Sequence, residues 1–209
     1  MRTAPAVPIA ILALLTALLT GCSPSIPTRF VLERDLDGWS YRRYQRVLDV
    51  EVPIEGNAAV GHTATYVQRA SRTSDSVPFA SVFVTVYGEP RGLSAEVRRV
   101  MRSLASYDAE VRAYGGGHVW YLDAGEGDRW ALWVSGPHVV KVGAGGELER
   151  VPEELVATYM GIYPSDLDAH GRARPGTRSE GELEGSGDSS SDDAQNDGVP
   201  SFLQENAPR

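Results

Sequence analysis

The chain has 209 residues, a formal net charge of −8 and 42% hydrophobic residues. A single cysteine excludes an internal disulfide, so a folded domain must depend on its hydrophobic core. The acidic balance argues against nucleic acid as a partner, because binding to phosphates calls for an excess of Lys and Arg.

The start of the chain has the pattern of a cleaved secretory signal. An apolar run from Ile9 to Leu19 follows the positive charge of Arg2, and the small residues Thr20 and Gly21 come next. The run is shorter than the roughly 20 apolar residues that a spanning helix needs. The pattern therefore predicts a signal peptide over the first 21 residues, removed before the protein folds.

The residues Leu19, Thr20, Gly21 and Cys22 resemble the lipobox of bacterial lipoproteins. The resemblance implies that cleavage makes Cys22 the amino terminus and that this cysteine is acylated. Two or three acyl chains on one residue make a stable membrane anchor. Ser23 is not the aspartate of an inner-membrane retention signal, so the resemblance implies the outer membrane, on its periplasmic side. An ordinary signal peptide followed by a stray thiol is the alternative.

Composition divides the rest of the chain into three parts. Residues 22–29, with Pro24 and Pro27, form a short spacer. Residues 30–170 mix apolar and polar side chains in the manner of a single domain. Residues 171–209 are rich in Gly, Ser, Asp and Glu, and this composition predicts a disordered acidic tail. The tail is either a solvated extension or a charged tether for a partner.

Alternating apolar and polar residues predict that most of the domain is β-structure. The strand candidates, in chain order, are 39–46, 48–54, 62–70, 79–87, 110–114, 118–123, 129–135 and 138–142. The first candidate fits a helix as well as a twisted strand, and strand is the preferred interpretation. In the second, Pro53 indicates a sheet edge or a strand end. A Gly-rich turn between the strands at 118–123 and 129–135 predicts a hairpin.

Two segments have the 3.6-residue period of helices. Residues 93–104 form the first, with Ser94 as its N-cap. Residues 152–160 form the second, with Pro152 in the first helical position and Gly161 as the C-terminal cap. Two helices beside a mainly antiparallel sheet of about six strands predict an α+β domain.

Two histidines stand at the starts of predicted strands. If these strands are close neighbours, His118 and His138 bring two imidazoles together, which is a start for a metal site. We identify no third ligand, so strand-end histidines that bond to solvent or to a backbone carbonyl are the preferred interpretation. The sequence leads us to assign no metal ligand, cofactor or catalytic residue.

Four aromatic residues crowd the predicted hairpin: Trp120, Tyr121, Trp130 and Trp133. On adjacent antiparallel strands such rings pair across the sheet and stabilise its register. Core packing is therefore the first interpretation. The alternative is an exposed aromatic surface that binds a glycan or a peptide, since Trp and Tyr offer a large contact area with few rotatable bonds.

A basic cluster lies on the polar face of the first predicted helix. Arg98, Arg99 and Arg102 form this cluster. Near a membrane they would attract anionic headgroups, at about 1 kcal/mol for each cation. A solvated helix face is the alternative, and the negative charge of the whole chain favours it.

The sequence contains no motif with a known catalytic mechanism. It lacks the histidine pair of zinc proteases, the nucleophile elbow of hydrolases and a phosphate-binding loop that ends in Gly-Lys. We therefore expect a membrane-anchored binding, accessory or sensor domain for a protein or another envelope component. Two alternatives stay open: an enzyme with a site assembled near His118 and His138, and a glycan or peptide receptor on the aromatic hairpin.

Overall fold

The fold is taken from a computed structural model. It describes residues 25–48, 50, 52–69, 77–104, 107–125, 128–146 and 148–177. The predicted signal peptide, Cys22, and the tail beyond Thr177 lie outside these residues. Within them, no helix combines the length and the apolar character that crossing a membrane requires.

One antiparallel sheet of seven strands forms the body of the domain, in the order β1-β2-β3-β7-β6-β5-β4. The strands are β1 (Trp39–Val47), β2 (Ala59–Gln68), β3 (Phe79–Tyr87), β4 (Asp108–Tyr114), β5 (Gly117–Asp123), β6 (Arg129–Ser135) and β7 (His138–Gly145). Two helices accompany the sheet, α1 (Leu93–Ser103) and α2 (Glu153–Ile162). The predicted α+β class and its antiparallel sheet are confirmed, with seven strands in place of about six.

The sheet consists of two meanders that meet at its centre. The strands β1 to β3 form one meander and β4 to β7 the other, and β3 pairs with β7. Helix α1 connects β3 to β4 at the far edge of the sheet. The predicted hairpin is confirmed as β5 and β6, which pair from Trp120 opposite Leu132 to Asp123 opposite Arg129.

The strand predicted over residues 48–54 is wrong for the part of it that the structure describes. Val52 is buried, and its carbonyl accepts a hydrogen bond from the Tyr87 hydroxyl at 2.8 Å. Leu48 is 89% exposed, so alternate residues do not share a buried face. Pro53 supplies no N–H for a strand ladder, and the described residues of the segment lie in a loop after the edge strand β1.

The helix ends differ in detail from the prediction. Gly92, with a φ of 79°, is the N-cap of α1, and Ser94 is a buried residue inside the first turn. A left-handed backbone at this position suits glycine, which has no Cβ. Pro152 is the N-cap of α2 and precedes the helix, and the helix continues through Gly161 to Ile162. Gly161 is not among the residues with positive φ, so it does not form a glycine cap.

Helix α2 covers one face of the sheet, which we call the α2 face. This face carries Tyr66, Val82, Val140 and Trp133, all of them fully buried. The Trp133 indole N–H donates to the carbonyl of Tyr163, just after α2, at 2.7 Å. Burial of this apolar surface is the main source of stability for a domain without disulfides.

The opposite face, which we call the α1 face, carries a second set of buried side chains. It includes Leu122, Leu132, Val134 and Val139, which alternate along their strands with residues of the α2 face. Helix α1 buries one apolar side and packs against β6. The sheet is therefore covered on both sides.

Tyrosine hydroxyls attach the N-terminal segment to the α2 face. Tyr66 donates to the Leu32 carbonyl at 2.5 Å, and the Leu32 N–H donates to the Tyr159 hydroxyl at 2.9 Å. The hydroxyls of Tyr66 and Tyr159 lie 2.8 Å apart, and Tyr163 donates to the Phe30 carbonyl at 2.6 Å. The packed segment therefore begins at Phe30, the predicted domain start, and crosses the sheet towards β1.

The chain also stays packed beyond the predicted domain boundary. Gly171 is buried with a φ of 66°, and a Cβ at this position would overlap the indole of Trp120. The Arg174 guanidinium donates to the carbonyls of Gly116 and Ser165. The start of the predicted tail is thus part of the domain.

Candidate functional site

The two histidines of the proposed dispersed site do not meet. Strand β6 lies between their strands β5 and β7. Strand register places His138 on the α2 face, opposite Ser135 of β6, and His118 on the α1 face with Trp120. The hypothesis of a shared site at His118 and His138 is therefore wrong, because a seven-stranded sheet separates their side chains.

His138 has the surroundings of a buried structural histidine. His138 is buried, with its Nδ1 3.0 Å from the Ser135 carbonyl and its ring 5.0 Å from that of Tyr163. Burial lowers the pKa of His138, against the opposing effect of the Ser135 carbonyl. Among the described residues no group of His, Cys, Asp or Glu side chains is suited to hold a metal ion.

The aromatic residues of the hairpin belong to the core. Trp133 is fully buried, and Tyr121 and Trp130 are 6% and 8% exposed. Trp120 is partly buried beneath Gly171. Tyr121 and Trp133 face α2, whereas Trp120 and Trp130 point to the other side of the sheet. The hypothesis of one exposed aromatic surface is therefore wrong, and core packing is confirmed.

The arginines of α1 lie on its outer side. Arg99 and Arg102 are exposed, Arg98 is half-buried, and Arg99 pairs with Glu96 at 2.7 Å. Helix α1 and the N-terminal segment cover opposite faces of the sheet. The predicted anionic-surface contacts are thus distant from the part of the chain that follows Cys22.

A first cleft lies where β4, β5 and β6 meet the segment that leads into α2, and it has a volume of about 490 Å³. Its lining residues are Ala109, Glu110, Arg112, Tyr121, Leu122, Asp123, Arg129, Glu149, Arg150, Val151 and Glu153. Acidic and basic side chains both line it, over a small apolar floor. Such a lining differs from the mainly apolar walls of small-molecule sites.

A cation over an aromatic ring forms one side of the first cleft. The Arg112 guanidinium carbon lies 4.3 Å from the centroid of the Tyr121 ring, and Arg112 also pairs with Glu110. Burial raises the pKa of Tyr121 to about 12, so its phenol is neutral at physiological pH. An arginine that lies over a tyrosine ring combines two residue types that are enriched in protein-binding surfaces.

An ion pair joins the ends of β5 and β6 on the other side. The Arg129 Nε donates to Asp123 Oδ2 at 2.8 Å, and the Gly125 N–H donates to Asp123 Oδ1 at 2.9 Å. The hydrogen bond from Arg129, followed by that from Gly125, lowers the pKa of the Asp123 carboxyl. The first cleft therefore presents fixed charges of both signs.

A second cleft of about 470 Å³ lies on the other side of the same segment. It is lined by Trp39, Gln68 and Pro78 from the first meander and by Leu148 and Glu154, among others. The segment before α2 therefore stands as a ridge between two clefts. The second cleft is beside β1, whereas the first is at the opposite edge.

The two edge strands differ in regularity. Strand β4 pairs with β5 without interruption from Asp108 to Tyr114. The register of β1 shifts between Tyr41 and Arg43, which is the signature of a bulge. Bulges and charges protect an edge from pairing with another chain. Strand β4, beside the first cleft, is thus the more regular edge for an added strand.

Sequence reasoning missed the first cleft. The opposite charges of Asp123 and Arg129 flank the turn of the predicted hairpin. They are the one local signal of the cleft in the sequence. The remaining wall depends on the path of residues 148–153 across the end of the sheet, and no motif encodes that path. Comparisons with protein-family models, with curated proteins and with solved structures found no match to this chain.

Proposed function

We propose that this protein is a lipoprotein of the outer membrane, anchored through Cys22, whose domain binds a periplasmic protein partner in the first cleft. The partner contributes an extended segment that lies along β4. The domain acts as a binding or accessory module, and no catalytic step is part of the proposal.

The anchor is supported by the resemblance of Leu19 to Cys22 to a lipobox and by the path of the chain after it. Only seven residues lie between Cys22 and Phe30, and the eight Cα–Cα steps span at most about 29 Å. Hydrogen bonds then hold Phe30 and Leu32 on the α2 face. A short spacer joined to a firmly held segment keeps the domain close to the bilayer.

The position of the first cleft carries the proposal. Strand β4, which borders this cleft, is six strand spacings from β1, or about 29 Å at about 4.8 Å for each spacing. The N-terminal segment joins the domain at the β1 side, where Arg29 lies over Tyr44 at 5.0 Å. The first cleft is therefore at the edge farthest from the proposed anchor and accessible to a periplasmic partner.

The lining of the first cleft favours a protein over a small apolar ligand. Charges of both signs suit a peptide, which carries side chains of both signs beside a polar backbone. The open edge of β4 offers the backbone groups that strand addition uses. The Arg112–Tyr121 pair offers an anchor for one side chain of the added segment.

Site-specific photocrosslinking in the native envelope tests this function. A photoreactive residue at Ala113 probes β4 and one at Glu149 probes the first cleft, and both native residues are exposed. We expect both probes to capture the same protein. Ala95, exposed on α1, is the matched control position and should not capture it.

A substitution in the first cleft tests whether the captured protein binds there. Arg112→Ala should weaken partner binding by a factor of about 10 to 100, as expected for an interface arginine. Arg99→Ala removes a paired arginine from α1 and should leave binding unchanged. Equal capture from all three positions, or equal loss in both variants, would contradict the proposed site.

A further inference from the structure

Strand β1, at the outer edge of the sheet, has a charge opposite to that of the whole chain. Strand β1 contains three arginines and no acidic residue, and Arg42, Arg43 and Arg46 are all exposed. None of the three forms a salt bridge with a described residue. Exposed arginines that form no ion pair with a described residue are available to anionic groups outside the protein.

An exposed apolar side chain follows these arginines. Leu48, directly after β1, is 89% exposed, which is the highest exposure among the large apolar side chains that the structure describes. We call Arg42, Arg43, Arg46 and Leu48 the β1 edge surface. Cations combined with an exposed leucine are the composition by which proteins bind at the interface of an anionic bilayer.

The β1 edge surface lies beside the N-terminal segment. The Arg29 guanidinium stacks on Tyr44 of β1, and the Tyr41 N–H donates to Asp35 at 2.8 Å. Ile26, a few residues after Cys22, is 49% exposed. The part of the chain that comes from the proposed anchor is therefore next to the cationic edge.

We infer that the β1 edge surface lies on the anionic headgroups of the bilayer that holds the anchor, with Leu48 inserted among them. This inference rests on the proposed lipid anchor and adds an orientation to it. Contact through β1 directs the first cleft, at the β4 edge, away from the bilayer. The occupant of this surface is an anionic lipid layer, and the contact is electrostatic with one apolar insertion.

Vesicle flotation with the mature chain that begins at Ser23 tests the inference without the acyl group. All hydrogen bonds and ion pairs given above join residues from position 25 onwards, so this chain retains them. We expect it to bind vesicles of phosphatidylcholine and phosphatidylglycerol at a ratio of about 2:1, and not vesicles of phosphatidylcholine alone. Binding should weaken between about 0.05 and 0.3 M salt, because salt screens charges.

The triple variant R42S/R43S/R46S should lose affinity for the anionic vesicles by a factor on the order of 100, from three cations. The matched control R98S/R99S/R102S changes the charge of α1 by the same amount and should bind as the native chain does. The variant R42K/R43K/R46K keeps the charge of β1 and should retain binding, so that the loss in the serine variant is assigned to its missing charges. Leu48→Ser should weaken binding about tenfold with no change in salt dependence.

Three results would overturn the inference. They are no binding to anionic vesicles, equal binding to neutral vesicles, and equal loss in the β1 and α1 triple variants. The first would leave an acidic protein as the partner of the β1 arginines. The assay uses a chain without an acyl group and no variant of the first cleft. A negative result would therefore refute lipid binding by the β1 edge surface and would leave the proposed anchor and the proposed partner site to their own experiments.

Discussion

Phe30 is the residue on which the N-terminal segment depends. Its ring lies 4.7 Å from that of His62 and 5.8 Å from that of His138, and its φ is 62°. A non-glycine residue in the left-handed region costs free energy, so the surrounding contacts must hold it there. Two imidazoles and the hydroxyl of Tyr163 provide those contacts.

These histidines predict how stability depends on pH. Burial, and then the charge of Arg46, lowers the pKa of His62, and burial lowers that of His138. Below the ordinary histidine pKa of 6.5 the unfolded chain binds more protons than the folded chain. The free energy of unfolding should therefore decrease as the pH falls through and below 6.5.

Urea unfolding at about pH 7.5 and about pH 5.5 measures this effect. The double variant His62→Gln/His138→Gln should show a smaller difference between the two pH values than the native chain. Carboxylates contribute equally to both proteins, so the comparison isolates the two histidines. An unchanged difference would contradict the assignment.

The tyrosine hydroxyls give a second prediction for single residues. Tyr159→Phe leaves the Leu32 N–H without its partner and should lower the free energy of unfolding by about 1–3 kcal/mol. Tyr41→Phe is the matched control, since the Tyr41 hydroxyl makes only a solvent-exposed contact with Glu33 at 3.3 Å. Chemical denaturation of both variants measures the difference, and equal losses would refute the role of the buried hydroxyl.

At the scale of elements, the C-terminal end of the domain extends beyond the boundary predicted from composition. The segment after α2 is rich in small and charged residues, which predicts disorder from Gly171 onwards. In the structure Arg174 donates to the carbonyls of Gly116 and Ser165. Short segments held by backbone contacts leave little signal in composition, because few large apolar side chains are involved.

Two glycines test whether this segment belongs to the fold. Gly171→Ala should cost about 1–2 kcal/mol from its positive φ and a further 1–3 kcal/mol from overlap with Trp120. Gly176→Ala has a φ of 77° and open space around a new Cβ, so it should cost only the first amount. Thermal unfolding of the two variants gives the comparison, and equal shifts would mean that Gly171 is not packed on the indole.

The sequence allowed reliable prediction of elements that have a continuous period. Residues 79–87, apolar on both faces, became the central strand β3, and residues 93–104 became α1 within one residue at its end. The period of two in residues 48–54 was misleading, because one inward residue, Val52, produces the same pattern in a loop. Register across β5, β6 and β7, which separates His118 from His138, depends on strand pairing that no local pattern contains.

At the scale of the whole molecule, the fold gives the domain two different edges. The β1 edge is basic and adjoins the N-terminal segment, and the β4 edge is regular and borders the first cleft. A lipid anchor at Cys22 would make this difference functional, with one edge towards the bilayer and the other towards the periplasm. The orientation and the position of the partner site both depend on that anchor.

Intact mass measurement of the protein purified from bacterial membranes tests the anchor most directly. The account predicts an amino terminus at Cys22 with diacylglycerol on its thiol, and a Cys22→Ser variant that stays unprocessed and unacylated. A mature chain that begins at another residue, or an unmodified Cys22 in the membrane-derived protein, would contradict the account.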